Sequence, residues 1–162
     1  MRKINIIYVG GIKSQEKYYH QTIDEYIKRL SRDFKITNIE IKEEQISEKP
    51  SDGEIENCLK TEGKKILDKI NNNTFKIALC IEGKKIKSEQ FASLLYSSQA
   101  INSQSVDFII GSSYGLSDEI KKSAHYLLSL SDMTFTHRLA RIMLMEQIYR
   151  AFTIETGRNY HK

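Results

Sequence analysis

The sequence predicts an α/β fold: a mostly parallel sheet with helices on both of its faces. Apolar, β-branched stretches alternate along the chain with stretches whose apolar residues recur at helical spacing. The strand-like stretches are almost continuously apolar, which is typical of strands buried on both faces of a parallel sheet. With 162 residues, 40% of them hydrophobic, and no linker or repeat, the chain is expected to form a single domain over residues 1–162.

Each element of the first half is supported by a local pattern. Lys3–Val9 is an apolar run that Gly10 and Gly11 close, and apolar residues then recur every three or four positions from Glu16 to about Arg32. Ile39 and Ile41 alternate with polar residues in a second strand. A second helix begins near Asp52 and carries an apolar stripe up to the three asparagines at 71–73. Phe75–Ile81 is the third strand.

The second half repeats the alternation. Ser88 is a candidate N-cap for a helix with Phe91 and Leu94 on its apolar side, and Val106–Ile110 is a fourth strand. Ser117 caps a short helix whose first turn is acidic, as the helix dipole favours. The last two predicted elements are a strand over Tyr126–Leu130 and a long helix over His137–Ile154.

Ligands of parallel sheets sit beyond the carboxyl ends of the strands. The candidate loops are therefore Gly10–Ser14, Glu82–Lys85, Gly111–Leu116 and Ser131–Thr136. The first loop lacks the spaced glycines of dinucleotide-binding folds, and no phosphate-binding loop motif occurs. Gly111 and Gly115 have two interpretations: they let a ligand approach the backbone closely, or they form an ordinary strand-to-helix turn. Leu130–Phe135 offers backbone groups and apolar side chains for an adenine ring, or is simply a loop.

The last helix and the residues after it carry an excess of positive charge. Five basic residues stand against two acids from His137 to Lys162, which accounts for +3 of the net +4 and indicates an anionic partner. Glu146 lies on the stripe of Leu139, Ile142, Met143 and Tyr149, so it should be partly buried and pair with Arg150. Tyr160 and His161 are either a frayed end or a pair that positions a base.

Several classes of protein do not fit the sequence. No apolar run approaches the roughly 18 residues of a membrane span, and the N-terminus lacks the features of a signal peptide. Cys58 and Cys80 lie in apolar stretches without metal-ligand spacing, so we expect free buried thiols and no metal site. A cytoplasmic protein is expected.

The stretches IIGSSYGL and LSLSDMTFTHRLARIMLMEQIYRAFTIETGRNYHK resemble the ribosomal RNA large subunit methyltransferase H family. These are the smallest SPOUT methyltransferases, and the resemblance covers the whole chain. It implies transfer of a methyl group from S-adenosylmethionine to N3 of a pseudouridine in 23S rRNA, on the ribosome. It also implies a homodimer and a C-terminal trefoil knot. The cofactor contacts it implies are Leu79, Gly111, Leu130, Ser131, Asp132, Met133, Thr134 and Phe135.

The chemistry that the resemblance implies is direct methyl transfer without metal. Removal of the N3 proton leaves negative charge on the flanking carbonyl oxygens, which a cation would stabilise. The candidate catalytic residues are His137 and His161 as proton acceptors, Arg141 and Arg150 as cations, and Tyr160 as a stacking group. Two rivals are a non-catalytic ribosome-binding or assembly factor that retains the cofactor fold, and a related methyltransferase acting on tRNA.

The chain departs from the family pattern at three positions. Ser112 replaces a glycine and places a Cβ in the glycine loop. Thr136 replaces a proline just before the last helix, and Arg138 stands where an uncharged residue is common. The expected effect is a change in ligand approach at Ser112 and a looser turn at Thr136.

Overall fold

The computed structural model describes residues 1–158, and Tyr160 and His161 lie outside this range. Five strands form one sheet in the order β2-β1-β4-β3-β5, and every pairing is parallel. The strands are β1 (Arg2–Val9), β2 (Phe34–Ile41), β3 (Thr74–Lys85), β4 (Ser105–Ile110) and β5 (Tyr126–Ser129). The predicted α/β fold with a parallel sheet is confirmed.

Helices cover both faces of this sheet. They are α1 (Lys17–Leu30), α2 (Asp52–Leu67), α3 (Ser88–Leu95), α4 (Ser98–Asn102), α5 (Asp118–Ser123) and α6 (His137–Thr156), with a short 3-10 turn at Ser14–Glu16. One core lies between the sheet and α1, α3 and α6, and a second, smaller core lies between the opposite face and α2 and α5. No helix within residues 1–158 is long and apolar enough to span a membrane.

The continuous apolar character of the strands follows from this two-sided cover. Along β1, Ile4 and Ile6 enter the larger core, whereas Ile7 and Val9 enter the smaller one. All four are at most 1% exposed, because consecutive side chains of a strand point to opposite faces and both faces are covered here.

The third strand is longer than the sequence indicates. Glu82–Lys85 was expected to be a loop, but β3 continues to Lys85 and pairs with β5 a second time after an irregularity between Leu79 and Lys84. A Cβ on Gly83 would lie 2.6 Å from the carbonyl carbon of Leu128. The absence of a side chain therefore lets this segment cross directly against the β5 backbone, a long-range contact that periodicity does not reveal.

The helix predictions were correct in place and wrong in some details. Ser117 caps α5 as predicted, with its hydroxyl accepting from Ile120 N–H. Ser88 is not an N-cap: it is the first helical residue, and its hydroxyl donates to Gln147 Oε1 at 2.7 Å. The short helix α4 was missed, and the predicted strand end at Leu130 belongs to the following loop.

The last helix turns a different face to the core than its apolar stripe suggested. The residues that enter the core are Leu144, Met145, Ile148, Ala151 and Phe152, with Arg141 beside them. Leu139, on the predicted stripe, is 38% exposed, and Ile142 and Met143 are only half-buried. Apolar residues occur on more than one side of α6, so spacing alone did not identify the core face.

Candidate active site at the carboxyl ends of the strands

Three of the segments that sequence resemblance singles out meet at one edge of the sheet. Leu79 on β3 is aligned with Ile110 of β4 on one side and with Leu128 of β5 on the other. Gly111 follows Ile110 directly, and Leu130 comes two residues after Leu128. Because the strands are parallel, their carboxyl ends bring these segments together. Leu79 and Leu130 are half-buried and pack against the larger core, so they present apolar surface at this edge.

The loop between β4 and α5 is tightly folded around its two glycines. A Cβ on Gly111 would collide with the carbonyl oxygen of Gly115 and lie 2.5 Å from its carbonyl carbon. Gly115 has φ +89°, a conformation that side chains disfavour, and its N–H donates to the carbonyl oxygen of Ser112 at 2.9 Å. Both glycines are thus required by the loop's own backbone.

Ser112, the departure within this loop, directs its side chain away from the edge. It is 8% exposed, and its hydroxyl donates to Glu62 Oε2 at 3.1 Å. Its φ is not positive, so the extra Cβ imposes no backbone strain. The expected change in ligand approach does not arise from the Ser112 side chain, because the side chain points into the protein.

The loop over Ser131–Phe135 leaves backbone groups unpaired within residues 1–158. Ser131 is fixed at both ends: its carbonyl oxygen accepts from Ser129 Oγ, and its hydroxyl accepts from Met133 N–H, each at 3.0 Å. Asp132 forms an ion pair with Lys85. No backbone–backbone hydrogen bond holds residues 132–135 in the described part of the chain. An adenine ring needs backbone donors and acceptors beside apolar surface, and this loop with Leu79 and Leu130 has that composition.

The imidazole of His137 lies against the first loop, at the start of α6. Its Nε2 atom is 3.3 Å from the position of a Cβ on Gly10, so a side chain there would be tight against the ring, and the φ of +86° at Gly10 disfavours one as well. Burial lowers the pKa of His137, the charge of Arg138 lowers it further, and Glu43 opposes this. Nε2 is buried without a hydrogen-bond partner in the described residues. The imidazole is therefore neutral at pH 7 and able to accept a proton.

Arg141 lies one turn further along α6 and is buried. Only 2% of it is exposed, and its guanidinium carbon stacks 3.4 Å from the ring centroid of Tyr8. Nε and Nη1 have no hydrogen-bond partner within residues 1–158. Burial raises the pKa of the Tyr8 hydroxyl, Arg141 lowers it, and Glu40 raises it. Tyr8 is a site neighbour that sequence reasoning missed, because it reads as an ordinary apolar strand position.

The other two departures from the family pattern also have structural accounts. Thr136 is the N-cap of α6, and its hydroxyl accepts from Leu139 N–H at 3.3 Å, so the turn is fixed by a cap instead of a proline. Thr136 lacks the ring constraint of a proline, and the cap holds the start of α6 in its place. Arg138 pairs with Glu16 at 3.1 Å and donates to the carbonyl oxygen of Gly11 at 3.4 Å, which ties α6 to the first loop.

Arg150 lies far along the same helix from His137. The two residues are 13 positions apart, a rise of about 20 Å at 1.5 Å per residue. Arg150 Nε donates to Glu146 Oε1 at 2.5 Å, and Glu146 Oε2 accepts from the Tyr26 hydroxyl at 2.7 Å. The predicted ion pair and the partial burial of Glu146 are confirmed. Within a single copy of the chain, α6 therefore holds His137 and Arg150 too far apart to reach the same substrate ring.

Other parts of the molecule offer less for chemistry. A groove of about 250 Å³ is lined by residues 1–3, 100–101 and 103–106 at the amino ends of the strands, opposite the site described above. No cluster of three or more potential metal ligands occurs in the described chain. Cys58 and Cys80 are free thiols, the first buried and the second half-buried.

Comparison with known proteins identifies relatives over the full chain. The sequence model of a family described as "Predicted SPOUT methyltransferase" matches residues 2–161. The chain is 48% identical over 162 residues to the ribosomal RNA large subunit methyltransferase H of Oenococcus oeni, covering 100% of both chains. It is 47% identical over 159 residues to the protein of the same name from Clostridioides difficile, covering 98% of this chain and 99% of the relative. The Streptococcus sanguinis protein of that name is 44% identical over 160 residues, with 99% of each chain covered.

Proposed function

This chain belongs to the SPOUT methyltransferase family, and we propose that it methylates N3 of a pseudouridine in 23S rRNA, using S-adenosylmethionine, on the assembled ribosome. The observation that carries this proposal is the 44–48% identity, over essentially the whole chain, to proteins named ribosomal RNA large subunit methyltransferase H. The geometry at the carboxyl ends of β3, β4 and β5 supports it, because the segments expected to hold the cofactor are adjacent there.

The cofactor would lie over Leu79, between the loop that begins at Gly111 and the loop over Leu130–Phe135. Leu79 and Leu130 supply apolar surface for the adenine ring, and the backbone of residues 132–135, apart from the Met133 N–H that donates to Ser131, supplies donors and acceptors for its edge. Bound S-adenosylmethionine would supply an activated methyl group on a positively charged sulfur. The chain's contribution is to hold that group in line with the acceptor nitrogen, which can account for roughly 7–11 kcal/mol of the barrier.

The acceptor nitrogen must lose its proton as the new N–C bond forms and the C–S bond breaks. A neutral imidazole is suited to take this proton, directly or through water, and the lowered pKa of His137 keeps it neutral. Its Nε2 atom has no partner within residues 1–158. We assign proton acceptance to His137 in this proposal, with His161, outside the described residues, as the alternative.

A cation near the uracil oxygens would stabilise the charge that develops there. Arg141 is buried over Tyr8 and would act at close range only if the substrate or a side chain moved, whereas the Arg150 side chain is 41% exposed. Because about 20 Å of helix separates Arg150 from His137, both act on one ring only if two copies of the chain share a site. We therefore propose a homodimer in which each active site takes His137 from one subunit and Arg150, with Tyr160, from the other.

The test is methylation in vitro of ribosomes from a strain that lacks this gene. Purified protein and S-adenosylmethionine are incubated with assembled ribosomes, isolated large subunits, naked 23S rRNA or tRNA transcripts, and the nucleosides are analysed by mass spectrometry. We expect N3-methylpseudouridine in ribosomal RNA from the assembled particle, and a rate at least tenfold lower for His137→Gln. Product on tRNA alone would identify the tRNA methyltransferase instead. Ribosome binding without any methylated product would indicate the non-catalytic assembly factor.

A further inference from the structure

A buried carboxylate on α2 lies directly beneath the glycine loop. Glu62 is 2% exposed, and none of the ion pairs within residues 1–158 includes it. Its carboxylate accepts three hydrogen bonds instead: from Ser112 Oγ at 3.1 Å, from Glu44 N–H at 3.0 Å and from Cys58 Sγ at 3.7 Å. Burial, and secondarily the charge of Glu62, raise the pKa of Cys58 to about 11, so its thiol keeps the proton that it donates. A buried carboxylate without a cation is costly, and these donors offset that cost.

The next residue of α2 holds the other end of the same loop. A Cβ on Gly63 would lie 2.6 Å from Ser117 Oγ, so the helix backbone packs closely against the residue that caps α5. Glu62 and Gly63, consecutive residues of α2, therefore contact the first and last residues of the segment 112–117. Between these two anchors the loop is exposed at positions 113–115.

We propose that Glu62 is a positioning residue, which fixes the Gly111–Gly115 loop through Ser112 in the shape that receives S-adenosylmethionine. The inference rests on the proposed function, since it assumes that this loop binds the cofactor. Without the Glu62–Ser112 bond, the loop populates shapes that do not bind, and the apparent dissociation constant rises in inverse proportion to the competent fraction that remains. In this chain Ser112 supplies a side-chain anchor that a glycine at that position cannot.

The opposite end of β4, the strand that leads into the glycine loop, offers a matched control. Ser105 is 5% exposed, and its hydroxyl donates at 2.8 Å to Asp107, a carboxylate that is 0% exposed. Ser105→Ala and Ser112→Ala thus each remove one hydroxyl that donates to a buried carboxylate. Ser105 begins β4, and Ser112 follows shortly after its last residue. Only the second lies at the loop, so only the second should alter the cofactor site.

The experiment measures S-adenosylmethionine affinity by calorimetry, melting temperature, and amide hydrogen exchange of the peptide covering 111–117. Ser112→Ala and Glu62→Leu should each raise Kd at least fivefold and speed exchange in that peptide, and the double variant should be little worse than either single one. Glu62→Gln should retain an affinity close to that of the wild type, because its amide can donate to the Ser112 hydroxyl. Ser105→Ala should lower the melting temperature without changing Kd.

The outcomes separate the two proposals. If the wild type binds S-adenosylmethionine and Ser112→Ala binds equally well, or loses no more affinity than Ser105→Ala, Glu62 has no positioning role. If Glu62→Gln binds as poorly as Glu62→Leu, the hydrogen bond to Ser112 is not what holds the loop, and the inference is overturned. Wild-type protein that does not bind S-adenosylmethionine refutes the cofactor assignment itself.

Discussion

Replacing Gly111 by alanine tests whether the glycine loop has to keep its present shape to bind the cofactor. The new Cβ would lie 2.5 Å from the carbonyl carbon of Gly115, whereas ordinary contacts begin at 3.4 Å. The Gly115 peptide must therefore move by at least about 0.9 Å, the difference of these two distances, because its carbonyl oxygen lies nearer still to the new Cβ. Because the obstacle is backbone, no side-chain rotation relieves it, and the Ser112–Gly115 hydrogen bond restricts the loop further.

Overpacking of this kind typically costs about 1–3 kcal/mol. The loop can avoid part of this cost by adopting a shape that does not bind the cofactor. If that shape becomes more favourable by about 1.4 kcal/mol, the binding-competent fraction falls tenfold and Kd rises tenfold. We expect Gly111→Ala to weaken S-adenosylmethionine binding by at least that factor in calorimetry. Thermal unfolding should show a loss of about 1–3 kcal/mol.

Gly53→Ala is the control for this experiment. Gly53 lies in the first turn of α2, and a Cβ there has no atom within 4 Å. Alanine should be neutral or stabilising there, by about 0.4–1 kcal/mol, with unchanged affinity. A Gly111→Ala protein that binds within twofold of the wild type would refute the reasoning, because it would mean that the loop can move without affecting the ligand.

Four further predictions follow from the described geometry and the assignments made from it. Neutral His125 accepts from Lys76 N–H at 2.9 Å, and burial first and the Lys76 charge second lower its folded pKa. The stability that this contributes should be complete above the unfolded pKa of about 6.5 and should fall as pH drops through the folded value. The difference in stability between the wild type and His125→Gln should therefore shrink as pH falls and become constant below that window. Arg150→Ala should cost about 0.5–1 kcal/mol of stability through its pair with Glu146 and also slow methyl transfer, whereas Arg150→Lys should recover most of the stability but little of the rate. Deletion of Tyr160–Lys162 should leave stability within about 0.5 kcal/mol but slow single-turnover methylation at least tenfold, and an unchanged rate would remove Tyr160 and His161 from the site. Sedimentation at micromolar concentration should find a dimer, and a fully active monomer would contradict the shared active site.

Local patterns were sufficient where a residue's role depends on its neighbours in the chain. The buried strands, the cap at Ser117 and the Glu146–Arg150 pair were all predicted correctly from spacing. The predictions made from spacing succeeded because strand periodicity, helix capping and i,i+4 pairing are short-range effects. The resemblance also implied that Leu79, Gly111 and Leu130 share a cofactor site, and the register of β3 with β4 and β5 brings these residues to the same edge.

Other properties of the site arise from contacts between segments that are distant in sequence. Arginine side chains are usually exposed, so the sequence suggests a solvent-facing Arg141. The fold instead buries its guanidinium over the ring of Tyr8, which comes more than a hundred residues earlier. Glu62 reads as a surface glutamate of α2, yet it is buried against Ser112. The core face of α6 is likewise set by its packing against α1 and α3. The sequence does not identify this face, because apolar residues occur on more than one side of the helix.

The sequence by itself determined the order of the elements and the family, because each depends on local periodicity or on a long, distinctive run of residue types in the last helix. The tertiary structure decided the strand order, the second pairing of β3 past Gly83, and the partners of the buried charges. The physical reason is that desolvation and packing act on the neighbours a side chain has in space. Glu62 and Ser112 are 50 positions apart, and only the fold makes them neighbours.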